Sequence, residues 1–212
     1  MLTKEQIAEV KNEFIKTLRM IKRPGCDVEG LISMLESSDF FDAPASTKYH
    51  CSFEGGLALH SLNVYESLVK LNETFEFKYD LDSLIIVGLL HDVFKINFYE
   101  PTVRNEKVYN AYGKKMDELG AFDWVSTKTF RVKEPEERNI LGSKGFTAYY
   151  IISEFISLTS EETATLVNQY SATDRDPIND LSTILSKNNL AVLLHSADII
   201  STFCIEKWVL IN

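Results

Sequence analysis

Four histidines occur in the 212 residues, His50, His60, His91 and His195, and three of them sit beside features that bear on chemistry. His60 lies on the apolar stripe Leu57, His60, Val64, Leu68, Leu71 rather than on the polar face of its helix. His91 is followed directly by Asp92. His195 and Asp198 are three residues apart and share a helix face. An imidazole on an apolar face is most often a core histidine satisfied by a backbone carbonyl, and a His-Asp pair arises readily by chance. Asp198 is more informative. Within Leu190-Ala-Val-Leu-Leu-His-Ser-Ala-Asp-Ile-Ile its carboxylate is expected to be buried, where an unpaired charge is strongly unfavourable. It requires a cation or strong donors. One divalent metal between two imidazoles and two carboxylates satisfies all of these groups together.

Helical periodicity dominates the elements that must position them. Thr3-x-x-Gln6 is a capping-box pattern followed by Ile7, Val10, Phe14, Leu18 and Ile21, and Pro24-Gly25 closes the segment. A short helix is expected after Asp27, a loop over Ser37 to Ser52, an amphipathic helix from Glu54 to Asn72, and a strongly apolar helix from Asp80 to Lys95. Phe98 to Lys133 alternates aromatic or β-branched runs with Asn, Gly and charge. Val108-Tyr109 and Thr127 to Val132 there read as strands of a small hairpin or irregular insertion. Helices resume over Lys144 to Ser157, from the capping box Thr159-x-x-Glu162 to Tyr170, and over Asn188 to Lys207. The expected architecture is one mostly all-α domain over residues 1–212, with a β-rich insertion at 98–133.

Composition excludes several classes. At 45% apolar and 25% charged residues the chain has the profile of a globular domain with a substantial core. No apolar run reaches the length of a membrane span, the longest being Leu84–Leu90, and the first residues lack the pattern of a secretion signal. Cys26, Cys51 and Cys204 are odd in number and form no CxxC pair, so a reducing cytoplasm fits best (host cytoplasm for a phage-encoded chain). The net charge of −9 disfavours long nucleic acid as a partner. Thr102 to Lys133 nevertheless carries seven bases against four acids, either a solvated charged loop or a cationic rim beside a phosphorylated ligand.

His60, then His91-Asp92, then a distant Asp198, each on its own helix, resemble the HD-domain metal-dependent phosphohydrolase superfamily. Ala43-Pro44-Ala45-Ser46, His50 and Gly55-Gly56-Leu57-Ala58-Leu59-His60-Ser61 resemble the opening of phage and bacterial HD hydrolases and of HD-type exoribonucleases. Leu90-His91-Asp92-Val93-Phe94-Lys95 resembles their second motif, and Leu193-Leu194-His195-Ser196-Ala197-Asp198 their last. The resemblance runs from about Leu31 to Phe203 and implies an HD-type helical bundle. Many relatives carry two further histidines that help hold a second metal. Ser143 in Gly142-Ser143-Lys144-Gly145 and Gln169 in Asn168-Gln169-Tyr170 stand at the matching positions, and both are neutral and poor ligands. The four ligands of a single-metal centre survive.

The resemblance then implies one divalent ion held by His60, His91, Asp92 and Asp198, with Mn²⁺, Fe²⁺, Co²⁺, Ni²⁺ or Mg²⁺ suited and Zn²⁺ also accommodated. Asp92 is placed to orient or deprotonate a water as well as to ligate. Lys95 is either a helix C-terminal cation or a stabiliser of phosphoryl charge. His50 is a phosphate donor or an ordinary loop histidine, His195 supports the ligands or packs its helix, and Ser143 and Lys144 are candidate substrate contacts. Phe98, Tyr99, Tyr109, Tyr112 and Trp124 either stack a base or fill the insertion. The leading expectation is hydrolysis of a nucleotide phosphomonoester or polyphosphate. The alternatives are a phosphodiesterase acting on cyclic nucleotides, oligonucleotides or RNA ends, and a silent fold that binds a nucleotide or a protein partner.

Overall fold

The capping box at Thr3 forms as its residues dictate: Thr3 Oγ1 accepts from the Gln6 N–H while the Gln6 side chain accepts from the Thr3 N–H, opening α1 at Lys4–Leu18. The computed structural model describes residues 2–169 and 181–206. Asp27 caps α2 (Val28–Ser37) through the Gly30 N–H. Gly55, at φ +78°, turns the chain into α3 (Gly56–Thr74). A Cβ on Gly56 would lie 2.0 Å from the Cys51 carbonyl oxygen, so only glycine lets the loop close against the start of α3. Asp80 then caps α4 (Leu81–Leu90), of which every residue from Ser83 to Leu90 is buried.

The apolar segment expected to run as one helix to Lys95 stops at Leu90. His91 and Asp92 lie in a turn, and Val93–Lys95 forms a single 3₁₀ turn. Val93 and Phe94 prolong the apolar pattern because they face the core, not because the helix continues.

The insertion is longer and more regular than its sequence indicates. β1 (Tyr99–Tyr109) pairs antiparallel with β3 (Gly120–Val132) from Tyr99 opposite Val132 to Tyr109 opposite Phe122, and short β2 (Lys115–Asp117) flanks β3 on its other side. Phe98 and Tyr99 are buried at its base, whereas Tyr109, Tyr112 and Trp124 are exposed.

The helices resume with α5 (Lys144–Ser153), which ends four residues before expected, and α6 (Ser160–Asn168), opened by the reciprocal capping box of Thr159 and Glu162. Tyr170, the expected end of that helix, lies outside the described residues. So does Lys207. A further helix, α7 (Leu181–Lys187), precedes α8 (Asn189–Ile200), after which Ser201–Ile205 widens into a π-helical turn. The fold is thus mostly helical with a small three-stranded antiparallel sheet. A continuous core joins α1, α2, α3, α4, α5, α6 and α8, with α4 at its centre. Among the described residues no helix is long and apolar enough to cross a membrane.

Close packing between α3 and α4 sets the site. Gly88 faces α3 so tightly that a Cβ there would lie 2.8 Å from the Tyr65 Cα. The absent side chain brings the two helices near enough for the His60 and His91 rings to meet edge-on, centroids 5.3 Å apart.

Candidate metal centre

Three elements converge on one point, buried at His60, His91 and Asp92 but open at Asp198, whose side chain is 40% exposed and not buried as its sequence context predicts. α3 supplies His60, the turn after α4 supplies His91 and Asp92, and α8 supplies Asp198. One ligand atom each of His60, His91 and Asp198 lies within 4.8 Å of the others. Bonds of about 2.1 Å from nitrogen or oxygen to a metal allow two ligands to stand at most roughly 4 Å apart, so the three atoms need draw in by less than about an ångström. Asp92 completes the group: its Oδ2 lies 3.7 Å from His60 Nε2 and 3.6 Å from His91 Nε2.

The tautomers follow from the partners. His91 Nδ1 is 2.9 Å from the Gly88 carbonyl oxygen, which can only accept, so Nδ1 carries the hydrogen. Its Nε2 is then a lone pair, buried and without a hydrogen-bond partner. Burial, with the nearby His60 charge, keeps this ring below the usual histidine pKa and therefore neutral. A buried unsatisfied nitrogen amid carboxylates is costly, and a cation at that point would remove the cost. His60 is held from both sides. Its Nδ1 lies 2.9 Å from Glu206 Oε1, and its Nε2 lies 3.3 Å from Asp198 Oδ1. Burial opposes protonation of His60, yet the hydrogen bonds to Asp198 and Glu206 outweigh it and raise its pKa to about 9.

The carboxylates are correspondingly ionised. Burial raises the Asp198 pKa, but His60 and His91 bring it down to about 2. For Asp92, burial is outweighed by Lys95 and the two imidazoles, leaving the carboxyl far below its ordinary value. Lys95 Nζ donates to Asp92 Oδ2 at 2.6 Å and to the Ala45 carbonyl oxygen at 2.7 Å, while the Tyr99 hydroxyl donates to the same carbonyl at 3.1 Å. Lys95 is therefore not a solvated helix-end cation. It is the counter-ion of Asp92.

His50 reaches the centre from the loop before α3. Its ring lies 4.7 Å from that of His60, and both of its nitrogens are buried without a partner. Burial, then the His60 and Lys95 charges, lower its pKa to about 4, so it is a neutral donor and acceptor. The other expected residues lie elsewhere or are otherwise engaged. His195 is partly exposed and makes no hydrogen bond or ion pair with His60, His91, Asp92 or Asp198 among the described residues. Ser143 Oγ caps α5 by accepting from the Phe146 N–H at 3.1 Å, and Lys144 is the first residue of that helix, which packs against the Val93–Lys95 turn. Gln169 does approach the site, its Nε2 donating to the His91 carbonyl oxygen at 2.7 Å.

Glu206 was not among the expected site residues. It is fully buried, accepts from Asn63 Nδ2 at 3.0 Å, and orients His60. On a continuous α-helix, at about 100° per residue, Glu206 would stand roughly 80° around the axis from Asp198. The π turn at Ser201–Ile205 delays the phase by about one residue and returns Glu206 to the side of Asp198. The spacing of eight hides the relation in the sequence.

Over 93 residues the chain is 30% identical to the dihydroneopterin 2′,3′-cyclic phosphate phosphodiesterase of Methanocaldococcus jannaschii, an alignment that covers 41% of this chain and 36% of that protein. The matched part thus spans about a third of that relative's length. No protein-family model matches the chain, and no solved structure does.

Proposed function

We propose that this chain is an HD-type, metal-dependent phosphohydrolase that acts on a nucleotide phosphomonoester or polyphosphate through one divalent ion held by His60, His91, Asp92 and Asp198. The observation that carries the proposal is the buried lone pair of His91 Nε2 among an imidazole and two ionised carboxylates. A mixed set of two nitrogens and two oxygens suits Mn²⁺, Fe²⁺, Co²⁺, Ni²⁺, Mg²⁺ or Zn²⁺. Bound there, the ion supplies polarisation of a phosphoryl oxygen and acidification of a water.

The chain's own residues do the rest. Asp92, kept ionised by Lys95, accepts a hydrogen bond from the attacking water and orients it as the water oxygen bonds to phosphorus, the bond to the leaving oxygen breaks and the water's proton passes to the leaving group. Lys95 holds that carboxylate in place. Neutral His50, with two unsatisfied ring nitrogens, donates one hydrogen bond to a non-bridging phosphoryl oxygen. Glu206 fixes the His60 ring so that Nε2 faces the centre. A second reading, cleavage of a cyclic phosphodiester, is favoured by the name of the Methanocaldococcus relative.

The test is metal analysis of chelator-free protein, followed by product analysis on mono-, di-, tri- and 2′,3′-cyclic nucleotides with Mn²⁺ or Co²⁺. About one metal per chain and phosphate release from the non-cyclic substrates are expected. Ring opening alone replaces the first reading with the second, and absence of metal and turnover overturns both. The role of Glu206 is tested separately. Glu206→Ala is expected to weaken metal affinity by about 10- to 100-fold, the usual effect of losing a group that orients a ligand. Glu206→Gln, which keeps an acceptor for His60 Nδ1–H, should restore most of it in competition with a chelating dye.

A further inference from the structure

A second concavity, of about 750 Å³, lies between the loop that carries His50 and the strands β1 and β3. That is ample for a small-molecule ligand, which needs about 300–1,000 Å³. Thr47, Lys48 and residues 52–54 line it, so one short loop separates it from the His50 and His60 rings. Its chemistry is unlike that of the metal centre. Phe53 and Phe130 contribute aromatic surface, both half-buried. Lys128 and Phe130, two apart on one strand, share a sheet face. Among the described residues Lys48 and Lys128 make no ion pair, and neither do Asp42 and Glu54. Arg104 and Glu106 also line the cleft and pair with each other at 3.5 Å, which leaves Lys48, Lys128, Asp42 and Glu54 as its unpaired charges among the described residues.

We propose that this cleft seats the base of a guanine nucleotide. The proposal rests on the hydrolase reading, since it places the non-reacting end of the substrate one loop from the phosphoryl group. A carboxylate can only accept, so Asp42 and Glu54 select a ring edge with donors. Guanine presents two adjacent donors, the ring N–H and the exocyclic amine, which one carboxylate accepts as a pair, while its O6 and N7 edge accepts from a lysine. Adenine offers a single amine and leaves the second carboxylate oxygen unmatched. The aromatic surface covers the ring faces, a contribution of about 1–3 kcal/mol per stacked base in nucleic-acid binders.

The experiment is calorimetric titration of the full chain with guanosine, GMP, AMP and ribose 5-phosphate. GMP is expected to bind at least about tenfold more tightly than AMP or ribose 5-phosphate, a difference of about 1.4 kcal/mol. The double variant Asp42→Asn, Glu54→Gln, which changes charge and not size on exposed positions, should erase the preference for guanine and leave ribose 5-phosphate binding unaltered. Equal binding of GMP, AMP and ribose 5-phosphate overturns the proposal, as does an undiminished guanine preference in the double variant. Guanosine lacks a phosphate and is read independently of turnover. Guanosine binding without hydrolysis of any nucleotide would retain the cleft and remove the hydrolase. Hydrolysis without base preference would do the reverse.

Discussion

His91→Ala is expected to empty the metal centre and lower phosphate release by at least about 10³-fold, because the several kcal/mol of charge stabilisation supplied by a bound metal are lost with it. The substitution is cleaner than its neighbours. Removing Asp92 would leave the Lys95 ammonium buried without its counter-ion, and removing His60 would leave buried Glu206 without its cationic partner, holding only the Asn63 amide. His91→Ala loses one hydrogen bond, to Gly88, and the edge contact with His60, but no ion pair, and the deleted Nε2 was already unsatisfied. The variant should therefore keep its circular dichroism and melting temperature within a few degrees of the parent. Turnover retained at the parental rate by a folded, metal-free His91→Ala protein would sink the metal-dependent mechanism.

Arg23→Met is expected to be the most destabilising exchange away from the site, by about 3–5 kcal/mol, because it strands a buried charge. The Glu162 side chain has 0% exposure and accepts from Arg23 Nη2 at 2.6 Å, Arg23 Nη1 at 2.8 Å and Ser83 Oγ at 2.6 Å. Burial pushes its carboxyl up, but the Arg23, Ser83 and Thr159 hydrogen bonds together hold it below the ordinary glutamate range. A depressed carboxyl stabilises the fold above its unfolded pKa, and that contribution disappears as pH falls through the folded value. Without Arg23 the burial effect gains ground, the carboxyl rises, and Glu162 takes up a proton at a higher pH than in the parent. Urea unfolding should show a large gap between parent and variant at pH 7 and a smaller one at pH 4. A gap that is constant with pH would mean that Arg23 acts by packing alone.

Much of this arrangement is legible in the sequence, for reasons that differ by residue. The capping boxes at Thr3 and Thr159 are local hydrogen-bond patterns, so their residue types suffice. His60 and Asp198 declared themselves as polar residues on apolar helix faces. The end of α4 did not, because no glycine or proline marks it and Val93 and Phe94 continue the apolar run for tertiary reasons. The sheet is longer than its sequence suggests because Thr102 to Tyr109 is mostly solvent-exposed, so no alternation of burial is written into it. Its cationic stretch is partly neutralised, Lys107 pairing with Asp117 at 2.6 Å and Arg131 with Glu100 at 2.6 Å. Glu206 required the π turn, which a count of 3.6 residues per turn cannot anticipate.

The hydrogen bonds of Ser143 and Gln169 limit what either position can accept. Histidine at position 143 would forfeit the cap of α5, at a cost of about 1 kcal/mol, and histidine at 169 would release the His91 carbonyl from its amide donor. Either exchange therefore costs the fold a hydrogen bond that it now makes, so both positions are held by the scaffold around the site and not only by what the site could bind.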